Sequence, residues 1–135
     1  MIKLAFAALL SLALALLLSA SGCYTEAEQH YNFGTSAQDS GHYIQAIKEY
    51  NETIRLNPEY VAAYNARGTA YDDLGQHERA IEDYNEAICL DPEYAMAYYN
   101  RGYAYYDLGQ HERAIQDYNE AVRLGGPLDF WTEYK

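Results

Sequence analysis

The chain contains a 34-residue segment that is copied, in register, on both of its sides. The middle copy spans residues 61–94, and a forward shift of 34 places gives 21 identical residues out of 34. A backward shift of 34 places gives 14 identities against residues 27–60. Three copies at one fixed period indicate stacked repetitions of a single supersecondary unit rather than one globular core.

Each copy contains two amphipathic helical patterns separated by a short break. In the middle copy, small or apolar residues recur at spacings of three and four over residues 63–71 and again over residues 80–90. Gly75 is a typical residue for the end of a helix, and Pro92 disfavours helix in the residue before it. No stretch alternates as a strand would, so we predict an all-α chain of helical hairpins with about 12 to 14 residues per arm.

Residues at fixed places in every copy resemble the tetratricopeptide repeat. Small residues occupy the eighth and twentieth places, where the family's two helices touch, and large residues occupy the twenty-fourth place and, in two copies, the eleventh. In that order these residues are Gly34, Gly68 and Gly102; Ala46, Ala80 and Ala114; Tyr50, Tyr84 and Tyr118; and Ala37, Tyr71 and Tyr105. The resemblance implies an α-solenoid of three hairpins at 27–60, 61–94 and 95–126, followed by a short C-terminal capping segment at 127–135.

The resemblance also implies a concave groove, lined by the first helix of each hairpin, that binds a segment of a partner protein. The family's groove-facing places give candidate partner-binding residues Tyr31, Gln38, Asn65, Thr69, Asp72, Asp73, Tyr99, Tyr103, Tyr106 and Asp107. The other groove-facing places hold Glu28, Thr35, Asp39, Ala62 and Met96. Tyrosines and carboxylates suit a segment that carries Lys, Arg or hydrogen-bonding side chains. An equal alternative for Tyr99, Tyr103 and Tyr106 is exposed aromatic cover without a binding role.

One specialisation of the family is not expected here. Its chaperone-binding members hold a C-terminal carboxylate with Lys or Arg and Asn side chains at set places, which in this chain hold Tyr31, Thr35, Ala66, Met96 and Asn100, so no basic clamp is expected. The whole chain is also acidic, with 20 Asp and Glu against 9 Lys and Arg and a net charge of −11. Such a surface repels nucleic acid and anionic lipid headgroups. The predicted partner is therefore a neutral or basic protein segment, and no nucleic acid.

The N-terminus has the pattern of an export signal. Residues 4–18 are apolar except for Ser11, and as a helix they would span about 22 Å, short of a bilayer core of about 30 Å. Residues 1–22 are therefore predicted to be a signal peptide. The small residues 19–22 before Cys23 resemble the lipobox of bacterial lipoproteins, which implies a lipidated Cys23, a linker at 23–26 and attachment to a bacterial membrane, the outer membrane in a Gram-negative source. The alternative is ordinary cleavage at the same bond, which would leave a secreted or periplasmic soluble protein.

Arrangements that would support catalysis or metal binding are weak. His77-Glu78 and His111-Glu112 begin like a zinc-protease helix, but isoleucine stands where its second histidine is required. We expect the histidines near the inter-helix turns to be solvated. Adjacent carboxylates such as Asp72 and Asp73 point about 100° apart on a helix and do not converge on a substrate. Cys89 has arginine counterparts in the other two copies and is expected to be exposed.

The sequence therefore predicts no catalytic residues, no cofactor and no metal. The predicted function is that of an adaptor or scaffold at the cell envelope that binds a partner segment in its groove. One alternative is a structural oligomer that assembles by end-to-end packing of the repeats, and a more remote one is an envelope enzyme.

Overall fold

The computed structural model describes residues 25–127, and its helices follow one another in pairs. They are α1 Glu26–Asp39, α2 Tyr43–Leu56, α3 Val61–Asp73, α4 His77–Leu90, α5 Ala95–Asp107 and α6 His111–Arg123. Each is 13 or 14 residues long, and no strand occurs within residues 25–127. The predicted all-α chain of helical hairpins is confirmed.

The hairpins stack in one direction. Within each hairpin the two helices pack along their length, and the second helix packs on the first helix of the following hairpin. The first helices also touch one another, α1 against α3 and α3 against α5, so they form one continuous wall. This is the α-solenoid that the repeat pattern predicts. The predicted signal peptide, Cys23 and most of the predicted capping segment, residues 128–135, lie outside the described residues.

The turn inside each hairpin depends on a glycine. Gly41, Gly75 and Gly109 have positive φ angles of 76°, 72° and 73°, a left-handed conformation that a side chain would strain. Between hairpins the chain instead becomes extended, as at Asp91 with φ −139° before Pro92. Tight glycine turns and proline-directed breaks therefore alternate along the chain, and together they fix the hairpin geometry.

The close contact inside each hairpin is between a glycine and a tyrosine ring. A Cβ atom added to Gly68 would lie 2.6 Å from Cε1 of Tyr84, and the corresponding distances at Gly34 and Gly102 are 2.5 and 2.8 Å. Tyr84 is buried, as is Ala80 one helical turn before it. The prediction that these places need small residues is confirmed, and its reason is the tyrosine ring that lies flat against the glycine.

A buried ion pair, which the sequence reasoning did not identify, joins the two helices of a hairpin, and its arginine also reaches the preceding hairpin. Arg67 on α3 donates two hydrogen bonds to the carboxylate of Asp83 on α4, at 2.8 and 2.6 Å. Its third bond, of 2.7 Å, goes to Asn51 on α2 of the preceding hairpin. Burial opposes the charge of Arg67, but the bonds and charge of Asp83 outweigh it and raise the pKa of the guanidinium.

The same ion pair recurs one period later, but not one period earlier. Arg101 binds Asp117 at 2.7 and 2.7 Å and Asn85 at 2.6 Å. In the first copy the two places hold Phe33 and Glu49, and Glu49 instead lies 2.8 Å from Nδ1 of His30. The first hairpin is therefore the chemically distinct member of the stack.

Candidate functional site

A depression of about 300 Å³ crosses the first helices of all three hairpins, and we call it the groove. Its walls come from α1, α3 and α5, and Tyr50 of α2 also lines it. The lining residues are Thr35, Gln38, Asp39, Tyr50, Asn65, Ala66, Thr69, Met96 and Asn100. Of the predicted binding residues, the structure thus places Gln38, Asn65 and Thr69 in the groove.

Hydrogen bonds from the second helices position the polar side chains of the groove. The buried hydroxyl of Tyr50 donates to Oε1 of Gln38 at 2.8 Å, and the hydroxyl of Tyr84 donates to Oγ1 of Thr69 at 3.4 Å. The amide of Gln38 in turn donates to Asp73 on the next first helix, at 3.4 Å. The tyrosines that fill the core therefore also orient the groove surface.

Two asparagines join the walls of the groove. Nδ2 of Asn100 donates to Oδ1 of Asn65 at 3.0 Å and lies 3.5 Å from Oγ1 of Thr69. Among the described residues, the amide hydrogens of Asn65 and the carbonyl oxygen of Asn100 have no hydrogen-bond partner. A donor and an acceptor side by side suit the backbone of an extended peptide. Sequence reasoning named Asn100 only as a place without a basic side chain, although its asparagine counterpart Asn32 was an available signal.

The predicted tyrosines divide into packed and exposed residues. Tyr31 stacks on Tyr60 with ring centroids 5.1 Å apart, and Tyr99 lies 5.8 Å from the buried Tyr118. Tyr103 also packs edge-on against Tyr118, yet 40% of its surface stays exposed. Tyr106 is 37% exposed and faces His111 at 5.1 Å. Tyr31 and Tyr99 therefore contribute to packing, whereas Tyr103 and Tyr106 offer aromatic surface next to solvent.

The charge near the groove is negative. Asp39, Asp73 and Asp107 occupy the last place of α1, α3 and α5, where the helix dipole adds further negative potential. No Lys or Arg is among the lining residues. The arginines of residues 25–127 bind partners elsewhere, in the pairs Arg55 with Glu52, Arg67 with Asp83, Arg79 with Gln76, Arg101 with Asp117, Arg113 with Gln110 and Arg123 with Glu120.

Asp72, a predicted binding residue, is not among the residues that line the groove and lies beside a histidine. Oδ1 of Asp72 lies 2.6 Å from Nδ1 of His77, and one ligand atom from each of Asp72, His77 and Asp107 lies within 4.8 Å of the others. The expectation of solvated histidines holds only in part for His77, whose side chain is 24% exposed and lies beside Asp72. His42 and His111 are exposed as predicted, and so is Cys89.

Burial makes the carboxylate of Asp72 unusual. Desolvation raises the pKa of Asp72, the hydrogen bond and charge of His77 lower it in part, and the nearby Asp107 and Asp73 raise it further. Asp72 and Asp73, adjacent on α3, diverge as predicted, because Asp73 is exposed and accepts a bond from Gln38.

Within residues 25–127, no helix is both long and apolar enough to cross a bilayer.

Comparison with protein families gives matches over most of the repeat region. A family model described as TPR repeat matches residues 39–75 and 68–109, and one described as tetratricopeptide repeat matches residues 95–124. These matches extend over more than half of the chain. Curated proteins give no match.

Similar solved structures match about three quarters of this chain. A crystal structure of MamA is 32% identical with a TM-score of 0.71, and the match covers 75% of this chain and 59% of that one. The second TPR of Spaghetti (RPAP3), bound to the HSP90 peptide SRMEEVD, is 29% identical with a TM-score of 0.72 over 74% of this chain and 93% of that one. The TPR2B domain of yeast Sti1, in complex with pHsp70, is 28% identical with a TM-score of 0.71 over 73% of this chain and 78% of that one.

Proposed function

The chain belongs to the tetratricopeptide repeat family, and on that basis we propose that it is an adaptor or scaffold whose groove binds a segment of a partner protein. The observation that carries this proposal is the asparagine pair, which presents an unmatched donor and acceptor across the groove. Two of the similar domains are solved with peptide or Hsp70 partners, which supports the same mode of use. We propose no enzymatic activity for the chain.

The chemistry of the groove favours a neutral or basic segment. The peptide SRMEEVD bound by the Spaghetti domain carries two Glu and one Asp. In this chain the groove has no Lys or Arg among its lining residues and has Asp39 and Asp73 at its edge. Like charges that meet at an interface weaken binding by several kcal/mol and so exclude unsuitable partners. The proposed segment therefore carries Lys, Arg or amide side chains and is not an acidic peptide of that kind.

A selection from a random peptide library tests this proposal with the full chain as bait. We expect the selected peptides to be rich in Lys and Arg, poor in Asp and Glu, and to bind with affinities that fall as salt rises. The variant Asn65→Ala with Asn100→Ala should weaken their binding at least about tenfold, since two hydrogen-bonding groups are lost. The measurement is fluorescence anisotropy of labelled peptides.

Two controls separate the groove from non-specific attraction to an acidic protein. Asn119→Ala changes an exposed asparagine on α6 and should leave binding unchanged. The peptide SRMEEVD should not bind. If the selected peptides bind the double asparagine variant as well as the original chain, or if no peptide is enriched, the groove proposal is wrong.

We further propose that the chain is exported and attached to a bacterial membrane through a lipid on Cys23. This rests on the signal-like residues 1–18 and on the small residues before the cysteine, both outside the described residues. The expected result is a mature protein that begins at Cys23 and whose intact mass includes acyl chains. A mature mass without acyl chains would instead support ordinary cleavage and a soluble exported protein.

A further inference from the structure

Three potential metal ligands meet where the second and third hairpins join. Asp72 lies in the last turn of α3, His77 is the first residue of α4, and Asp107 is the last residue of α5. One ligand atom from each lies within 4.8 Å of the other two. From this convergence we propose that Asp72, His77 and Asp107 bind a divalent zinc-type ion, and we call the three residues the junction site.

The ligand set and its spacing fit such an ion. Imidazole nitrogen and carboxylate oxygen bind Zn²⁺ at about 2.0–2.2 Å in tetrahedral geometry, so two ligand atoms of one ion are about 3.4 Å apart. The ligand atoms of the junction site lie within 4.8 Å of one another, and Oδ1 of Asp72 and Nδ1 of His77, now 2.6 Å apart, would exchange their hydrogen bond for bonds to the ion. Mg²⁺ and Ca²⁺ prefer oxygen ligands only, so the imidazole favours zinc and neighbouring transition metals. Three protein ligands leave at least one position of the ion for water.

The charge around the junction site favours a cation. The carboxylates of Asp72 and Asp107 lie at the ends of α3 and α5, where both helix dipoles present their negative ends, while the single positive end there belongs to α4 at His77. The two carboxylates share one histidine as partner, so their negative charges repel each other, and a divalent ion would neutralise them.

The repeat itself provides an internal comparison. One period earlier, the places of Asp72, His77 and Asp107 hold Gln38, Tyr43 and Asp73, and there the amide of Gln38 simply donates to Asp73. A neutral amide bonded to a carboxylate closes that junction without any ion. At the junction site, Asp72 and His77 replace Gln38 and Tyr43, so three potential ligands stand where the earlier junction has one hydrogen bond.

Burial of the ligands adds a second distinguishing feature. The side chains of Asp72 and His77 are only 19% and 24% exposed, so two ligands are held by the surrounding helices. The hairpin turn at Gly75 brings them together because it reverses the chain between α3 and α4. A site with two fixed ligands and one mobile ligand loses less conformational entropy on binding than three free surface side chains would.

Isothermal titration of the full chain with zinc chloride tests the junction site. The protein is prepared in detergent micelles without an affinity tag and with its thiols alkylated, so that cysteine and tag do not bind the metal. We expect one ion per chain and a rise in melting temperature when zinc is in excess. His77→Gln and Asp107→Asn should each lower the affinity at least about tenfold, because each removes one of three ligands.

Matched variants elsewhere in the repeat serve as controls. His111→Gln is the third-copy counterpart of His77→Gln, and Asp39→Asn is the first-copy counterpart of Asp107→Asn. Both should bind zinc as the original chain does. The proposal is wrong if the original chain does not bind zinc. It is also wrong if His77→Gln and Asp107→Asn bind zinc as tightly as the control variants do. Circular dichroism confirms that each variant remains helical, so that loss of affinity is not loss of fold.

Discussion

Replacing Tyr84 with alanine should lower the free energy of unfolding by about 3–5 kcal/mol, as expected for deleting a fully buried aromatic ring. Tyr84 is 1% exposed and packs with Tyr71 and Ala80 of its own hairpin and with Ala104 of the next. Its ring also covers Gly68, where no other side chain can fill the space. The cavity would therefore affect the contact inside the hairpin and the contact between hairpins. Chemical denaturation followed by far-ultraviolet circular dichroism measures this loss.

Two further variants separate the ring from its hydroxyl and the middle hairpin from an end one. Tyr84→Phe keeps the ring and removes only the bond to Thr69, so it should cost about 0.5–1.5 kcal/mol. Tyr50→Ala should cost less than Tyr84→Ala, because in a linear repeat stack the middle unit has neighbours on both sides. If Tyr84→Ala costs no more than Tyr84→Phe, the ring does not hold the hairpins together.

The fold could be predicted because the repeat pattern encodes contacts inside one unit. Gly68, Ala80 and Tyr84 recur at the same places in all three copies, and each copy repeats the same local packing problem. The internal repeat therefore indicates the core residues from the sequence alone. The helix lengths followed from the positions of glycine and proline, since these residues restrict the backbone directly.

The candidate sites were harder to predict because they depend on contacts between units. The bond from Asn100 to Asn65 and the approach of Asp107 to Asp72 each join residues 35 places apart in sequence. Whether such residues meet depends on the angle between neighbouring hairpins, which the period does not specify. His77 shows a limit inside one hairpin, because its place near a turn suggested solvent, whereas the carboxylate of Asp72, five residues earlier, lies 2.6 Å from its Nδ1.

The ion pair between Arg67 and Asp83 yields the other large expected effect. Asp83→Ala should lower the free energy of unfolding by about 3–5 kcal/mol, because it leaves a guanidinium that is only 18% exposed without its counter-charge. Replacing both partners by apolar residues, Arg67→Met with Asp83→Leu, should restore most of this loss since no buried charge then remains. Denaturation curves of the single and double variants measure the two effects. If Asp83→Ala alone hardly changes the free energy of unfolding, water reaches Arg67 and the ion pair contributes little to stability.

An exposed pair of the same chemistry shows why burial decides the outcome. Arg123 and Glu120 lie three residues apart on α6 with side chains 66% and 34% exposed, so Glu120→Ala should leave the denaturation curve almost unchanged. Arg67 differs also in reaching Asn51 across the junction of the first two hairpins. Asp83→Ala should therefore speed hydrogen exchange in α2 as well as in α4, whereas Glu120→Ala should leave both unchanged. Faster exchange confined to α4 would show that the pair stabilises its own hairpin and does not couple it to the preceding one.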